Sequence, residues 1–424
     1  MTLPTPPTLK SQRWLLTPLD HGLLLLIALR LVITVLMIFL NLPPLQSHIG
    51  FYFHHGGDQD YYFEYGQVLL SGQFDKWFAV NLGQPAIMAF GVLLFGGRTF
   101  TDLLTYLVIV NAWIFGLLGV WLVGRLAYLF TDNIPASWLA AGLWAIMPWI
   151  VWVAVLPHPE HVWLQAPYAP ASAWLNGLPD GPATFFALLC LYFLLRARQP
   201  DTNPAIFALL SGLSLGVSLL FKAHLLSILP LVAGFLFIDW LFHRRDPTGP
   251  RALLIGLWVW RGVVLGYLPQ VLYNWLARTW DAMIPWLPGY LYFGVLNSKT
   301  NEINADLSPV SLAALADNLL AVLNRGGGLL WVAAAIGAVA GLAALWWVAR
   351  LRGWPLALLL FGAIPGTIGV NLVSAYFMDD PIRFSLPGFP MTLVLGCYVA
   401  VTVLSALRDW RQHRLQQPSP TPSP

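Results

Sequence analysis

The residues best suited to chemistry in this chain begin at Gly57-Asp58-Gln59-Asp60-Tyr61-Tyr62, in a sequence that otherwise uses few carboxylates. A positioned carboxylate can take the proton of an acceptor hydroxyl, and two carboxylates offer oxygen ligands to a hard divalent cation such as Mg or Mn. Asp58 and Asp60 are therefore candidates for a catalytic base and for a metal site. A plainer role is also open to Asp58, because aspartate caps helices and complements their dipole. Around them lie His48, His54, His55, Glu64 and Asp75, interleaved with Phe51, Tyr52, Phe53, Tyr61, Tyr62, Tyr65, Phe74 and Trp77. Neither His54-His55 nor His158-Pro159-Glu160-His161 has the helical His-x-x-x-His spacing of a zinc site. His55 and Glu160 are accordingly read as residues that orient donor or acceptor.

The elements that must position these groups are membrane spans. With 58% hydrophobic and 10% charged residues, the chain is too apolar to dissolve its whole surface in water. Ten apolar runs mostly approach the ~20 residues a spanning helix needs. They are Leu23–Leu40, Leu103–Val123, Trp138–Val155, Ala183–Leu195, Ile206–Leu220, Leu225–Leu241, Leu253–Leu276, Leu329–Val348, Leu356–Tyr376 and Met391–Leu407. A shorter run, Ala86–Phe95, is expected to be shallow rather than crossing. The fold class is an all-α polytopic membrane protein of about 10–11 transmembrane helices, with short interfacial helices outside. One of these is expected over Asp60–Leu70, where Tyr61, Tyr65, Val68 and Leu69 recur at helical spacing.

Basic residues set the expected orientation. Lys10 and Arg13 precede the first run, and Arg196/Arg198, His243-Arg244-Arg245, Arg350/Arg352 and Arg408/Arg411/Arg414 mark cytoplasmic segments under the positive-inside rule. Residues 1–19 are then a cytoplasmic tail, 20–407 a single membrane domain and 408–424 a disordered cytoplasmic tail. The outer loops are 41–84, 156–180 and 277–323, with a short one near 376–387. The net charge of +3 follows this loop asymmetry and does not imply a nucleic-acid partner. Cys190 and Cys397 both lie in apolar runs, where neither a disulfide nor a cysteine metal site is expected.

Asp58-Gln59-Asp60-Tyr61-Tyr62, continuing to Gly66 and Gly72, resembles the first-loop signature of polyprenyl-phosphate-dependent glycosyltransferases of the C superfamily, which include the protein O-mannosyltransferases and the lipid A aminoarabinose transferases. In that pattern Asp58 takes the catalytic aspartate, Tyr62 the tyrosine, Gly66 the small residue and Gly72 the closing glycine. Gln59 replaces the usual glutamate. Further likenesses follow in order: Asp180 ahead of a span, Gly212-x-x-x-Gly216 with Lys222, Leu268-Pro269 with Tyr273-Asn274, and Arg383 with Pro387 and Pro390. The resemblance implies an extracytoplasmic active site in a bacterial inner membrane. Its partners would be a polyprenyl-phosphate sugar donor, membrane lipids and an acceptor that is a lipid, a glycan or a protein.

The chemistry assigns roles to these residues. A lipid-linked sugar phosphate carries its own leaving group, so the enzyme needs a base, and Asp58 supplies it. The departing phosphate develops charge in a poorly solvated pocket, where fixed cations act most strongly. Lys222 and Arg383 are the expected phosphate-binding cations, with Asp180 and Tyr62 orienting the substrates. Lys222 could instead snorkel to headgroups, and Arg383 could pair with Asp379 or Asp380. Arg30, inside the first span, is a further cation able to face a phosphate. The alternative function is a transporter or flippase of lipid-linked sugars, whose charged groups would be expected at mid-membrane and whose halves commonly repeat.

Overall fold

An apolar segment crossing a bilayer must satisfy its own backbone polar groups, and a helix does so within one segment. The apolar runs obey this rule in the computed structural model, which describes residues 17–40, 58–74, 76–150, 174–245, 249–291, 312–325, 327–368 and 386–416. In chain order the helices are α1 (Pro18–Leu40), α2 (Asp58–Leu70), α3 (Gly83–Phe95), α4 (Leu104–Leu107), α5 (Gly116–Thr131), α6 (Ile134–Ala145), α7 (Asp180–Arg198), α8 (Pro204–Phe221), α9 (Ile228–His243), α10 (Gly249–Leu276), α11 (Pro288–Leu291), α12 (Leu312–Arg325), α13 (Gly327–Arg352), α14 (Trp354–Ile368) and α15 (Phe389–Gln416). A π-helical stretch, Val108–Phe115, joins α4 to α5. Among the described residues eight helical segments are long and apolar enough to cross a membrane, and three apolar helices are shorter: α3, α6 and Trp354–Thr367. The chain is an all-α polytopic membrane protein. Its outward apolar side chains suit lipid contact, Leu25 being 73% and Phe39 80% exposed.

Two ends of the bundle can be told apart by their charges. At one end Asp20 pairs with Arg125, Asp132 with Arg352, and Asp239 with Arg198 through a two-pronged contact of 2.5 and 3.0 Å. Arg251 closes the same corner by donating to the carbonyls of Ala197 and Gln199. The opposite end gathers α2, α3, the start of α7, the end of α8 and the end of α10.

The short α3 lies along α2. At thirteen residues it is about 20 Å long, less than a bilayer core. Its backbone meets α2 at Gly66, where a Cβ would stand 2.8 Å from the Ala89 nitrogen. The signature's small residue is thus a packing requirement. Gly72, its closing glycine, ends the helix in the left-handed region at φ 74°, which favours glycine.

The closest helix contact joins α8 to α10. A Cβ on Gly212 would stand 1.8 Å from the Val259 carbonyl oxygen, and one on Gly262 2.2 Å from that of Leu209. Gly216 and Gly266 repeat the contact one turn on, so glycines four apart on both helices let two backbones touch. Gly212-x-x-x-Gly216 is a packing seam that sets where α8 ends, at Lys222.

Two expectations change. Residues 408–416 continue α15 as helix, where the sequence suggests a disordered tail; Leu, Arg and Gln are strong helix formers and extend the span that precedes them. Arg30 is buried and donates to the Ala145 carbonyl at 3.1 Å. Pro148 interrupts the hydrogen-bond ladder there, and the Trp149 nitrogen turns to Ile146, leaving the Ala145 oxygen for Arg30.

Gly212→Leu should lower the thermal midpoint of the detergent-solubilised protein sharply, since overpacking costs about 1–3 kcal/mol even where side chains can yield, and here the obstacle is backbone. Gly234→Ala, at a position with nothing within 4 Å, should leave the midpoint unchanged or raise it.

Candidate active site at the converging helix ends

Three helix ends meet where the sequence places its chemistry. Asp180 is the first residue of α7, and Lys222 leaves α8 in an extended conformation, φ −143° and ψ 110°. The Lys222 ammonium lies 2.5 Å from the Asp180 carboxylate, their side chains only 7% and 1% exposed. Asp180 and Lys222 were separate candidates in the sequence, and the fold joins them as a buried ion pair. Lys222 does not snorkel; it points into the bundle. An anion reaching the Lys222 ammonium would have to share it with the Asp180 carboxylate.

The turn before Asp180 is held by amide side chains. The Gly177 N–H donates to Oε1 of Gln59, and the Gly177 carbonyl accepts from Nε2 of Gln84 at 2.8 Å. One residue earlier, the Asn176 carbonyl accepts from Nδ2 of Asn111 at 2.6 Å. Asn111 sits in the π-helical stretch, whose wider turn is a common mark of functional positions. Gly177 has no room for a side chain: a Cβ would meet Met88, Phe100 and Gln59 at 2.9–3.1 Å. Gln59, the departure from the family pattern, is fully buried and ties the first turn of α2 to the turn that leads into Asp180.

Asp58 and Asp60 lie in that first turn, both half-buried. Tyr62 follows with its ring 6.2 Å from Phe78, and Tyr65 packs edge-on to the same ring at 4.3 Å. The segment after α2 is fixed from the other side by α10. Gln270 donates to the Phe78 carbonyl at 2.7 Å and accepts from the Leu82 N–H at 3.1 Å, while Asn274 donates to the carbonyls of Ala79 and Ala282. Asn81 accepts from the Ala223 N–H at 3.2 Å, which secures the residue after Lys222. Tyr290 reaches the Ala223 carbonyl at 3.5 Å, and burial holds its phenol well above the ordinary tyrosine range, so it remains a donor.

His55, Glu160 and Arg383 lie outside the described residues; of the others, Asp180 and Lys222 are in contact, and Gln59 ties the turn that carries Asp58 and Asp60 to the turn before Asp180. Residues two apart on a helix do not face each other, which turns Asp58 and Asp60 apart. Among the described residues no three His, Cys, Asp or Glu side chains gather as a metal ion would require. A Mg or Mn ion held by Asp58 or Asp60 would take its remaining oxygens from water or from donor phosphate. The residues that sequence reasoning missed are Gln84, Asn111, Gln270 and Tyr290. The first three carried a signal, being amides within or beside apolar runs, where a polar side chain is costly unless it has a task.

No protein-family profile matches the sequence, and neither does any curated protein. Solved structures do. The archaeal oligosaccharyltransferase AglB from Archaeoglobus fulgidus, in complex with an inhibitory peptide and a dolichol-phosphate, superposes with a TM-score of 0.56 at 16% identity, over 95% of this chain and 53% of that one. The chain shares its fold with an oligosaccharyltransferase. The apo form of the Archaeoglobus enzyme gives 0.56 at 14% identity over 93% and 52%, and its complex with Zn and sulfate gives 0.55 at 18% over 90% and 49%. This chain spans about half the length of the structures it matches.

Two outcomes test the site's construction. Asp180→Asn or Lys222→Met alone leaves one buried charge without its counter-ion and should destabilise the protein by about 3–5 kcal/mol, whereas the double variant should recover most of that loss. Gln59→Leu strands the buried Gly177 N–H and should cost about 1–3 kcal/mol, read as a lower melting midpoint of the detergent-solubilised protein.

Proposed function

We propose that this protein is a membrane glycosyltransferase that moves a sugar from a polyprenyl-phosphate donor to an acceptor hydroxyl with inversion at the anomeric carbon. The observation that carries the reading is the tie from Gln59 to Gly177. It fastens the carboxylate-bearing turn of α2 to the turn before Asp180, and hence to the buried cation Lys222. The fold shared with an oligosaccharyltransferase solved with dolichol-phosphate supports the same class of donor.

In the proposed reaction the Asp58 carboxylate takes the proton of the acceptor hydroxyl as the oxygen attacks the anomeric carbon. The bond from that carbon to the phosphate oxygen breaks on the opposite face, and the polyprenyl phosphate leaves with the electron pair. Lys222 faces the charge that develops on it, in surroundings where an ammonium acts more strongly than in water. Asp180 orients Lys222 through their ion pair, and Asp60 and Tyr62 border the acceptor side. Arg383, His55 and Glu160 remain candidates for donor and acceptor contact. The acceptor is a lipid, a glycan or a protein, and an Archaeoglobus structure tethered to an acceptor peptide makes a peptide one of the acceptors to try first. The site end faces outward from the cytoplasm of a bacterial inner membrane.

Membranes carrying equal amounts of wild type or Asp58→Asn should be offered a panel of radiolabelled polyprenyl-phosphate sugars. Wild type should transfer label from one of them, and the variant should be slower by at least ~10²-fold, the lower bound for a lost general base. If no donor is consumed while lipid-linked sugar still changes leaflet, the protein is a transporter and the reading is wrong.

A further inference from the structure

One arginine of α10 is left unexplained by its surroundings. Arg261 is exposed on the outer surface of the bundle, and its guanidinium lies 4.6 Å from the centre of the Trp258 ring. The glycine seam gives its depth. The neighbouring Gly262 backs onto the Leu209 carbonyl and the Leu213 nitrogen, which lie in the middle of α8. Trp258, over which the guanidinium folds, is itself about 10 Å along the helix from Arg251, whose bonds to the Ala197 and Gln199 carbonyls mark the charged end of the bundle. Arg261 therefore sits within the hydrocarbon of a bilayer that α8 and α10 cross.

A charge at that depth is costly and as a rule faces a bundle interior, a wet cavity or an opposite charge. Arg261 has none of these. Leu254, Leu257, Leu265 and Leu268 around it are all exposed, and among the described residues no carboxylate pairs with it. Snorkelling does not relieve it, because the side chain rests over an indole less than one turn away and short of the headgroups. That ring attracts the cation but offers no acceptor to its N–H groups. Exposed leucines need no partner in lipid, yet beside a charge their spacing is informative. Leu254, Leu257, Arg261, Val264 and Leu268 recur alternately three and four residues apart, the pattern that meets a second helix along a seam.

We infer that this face of α10 docks a transmembrane helix of a partner protein, one that carries an aspartate or glutamate at mid-span to pair with Arg261. Charge chooses between the occupants. A second copy of this chain brings no counter-charge there, because the carboxylates of the described spanning segments, Asp20, Asp102, Asp180, Asp239 and Asp409, each stand near a helix end. A phospholipid phosphate lies at the membrane surface, about 15 Å from the middle of a hydrocarbon core ~30 Å thick. A helix can present a carboxylate at the depth of Arg261 itself.

The test places the full chain in phosphatidylcholine vesicles with a synthetic probe, a single-span leucine-rich helix bearing a central aspartate, and reads energy transfer between dyes on the two. The centre of the probe reaches the same depth whichever way it inserts. Wild type should bind it several-fold more tightly than the same helix with leucine at its centre, and Arg261→Leu should remove the difference. Arg261→Asp should instead prefer a probe with a central arginine. Arg261→Leu puts an apolar side chain where a charge faced lipid, so its melting midpoint should be unchanged or higher, and loss of binding would not reflect misfolding. Equal binding of both probes to wild type, or an aspartate preference that survives Arg261→Leu, would overturn the docking face. Energy transfer between two labelled copies of the chain that depends on Arg261 would assign the face to self-association. A preference abolished by phosphatidylglycerol would assign the cation to a lipid phosphate, and either result overturns the proposed partner.

Discussion

A lysine and an aspartate withdrawn from water hold the site end of this bundle in register. Asp180 begins one helix and Lys222 ends another, so neither helix can slide without parting the two charges. Desolvating each ion costs several kcal/mol, and the pair is tolerated only if the contact persists and the neighbouring groups are satisfied. The rest of the site end answers that requirement. The glycine seam fixes the length at which α8 stops, Asn81 and Tyr290 grip the peptide groups of Ala223, and amides hold the turn before Asp180.

Those amides solve a problem particular to membranes. Irregular backbone is admitted at membrane depth only where protein or a wet cavity satisfies it. The turn at Asn176–Gly177 and the segment Phe78–Leu82 are both irregular, and each is bonded by side-chain amides from helices that flank it. An amide offers both a donor and an acceptor without a charge, so it can serve a peptide group without bringing a second ion into an already strained electrostatic setting. Gln59 shows the point well, standing next to two aspartates where a buried glutamate would add a third negative charge.

Much of this was legible in the sequence, for reasons that differ by residue. Apolar runs are long and leave little choice of structure, so the helices stood out, and the amphipathic spacing after Asp58 marked α2. Lys222 stood out as a charge between apolar runs, where a charge must have a purpose, and Asp180 as an acid ahead of a span in the family-like pattern. What was not legible is pairing. Nothing in spacing says that Asp180 and Lys222 should meet, nor that Arg30 would turn to a carbonyl freed by Pro148, since both depend on which helices become neighbours. Gln59 read as a defect in a pattern, whereas its burial makes it a tie between two loops.

The seam between α8 and α10 has a mechanical meaning as well. Two rods in backbone contact over more than one turn bend as a single thicker beam, with no layer of side chains between them to shear. Lys222 sits at the tip of one rod and Gln270 and Asn274 near the tip of the other, so cation and amides ride on one rigid arm. Movement of α2 against that arm would instead fall on the segment Phe78–Leu82, whose peptide groups are held to α10 by side-chain amides and not by backbone contact.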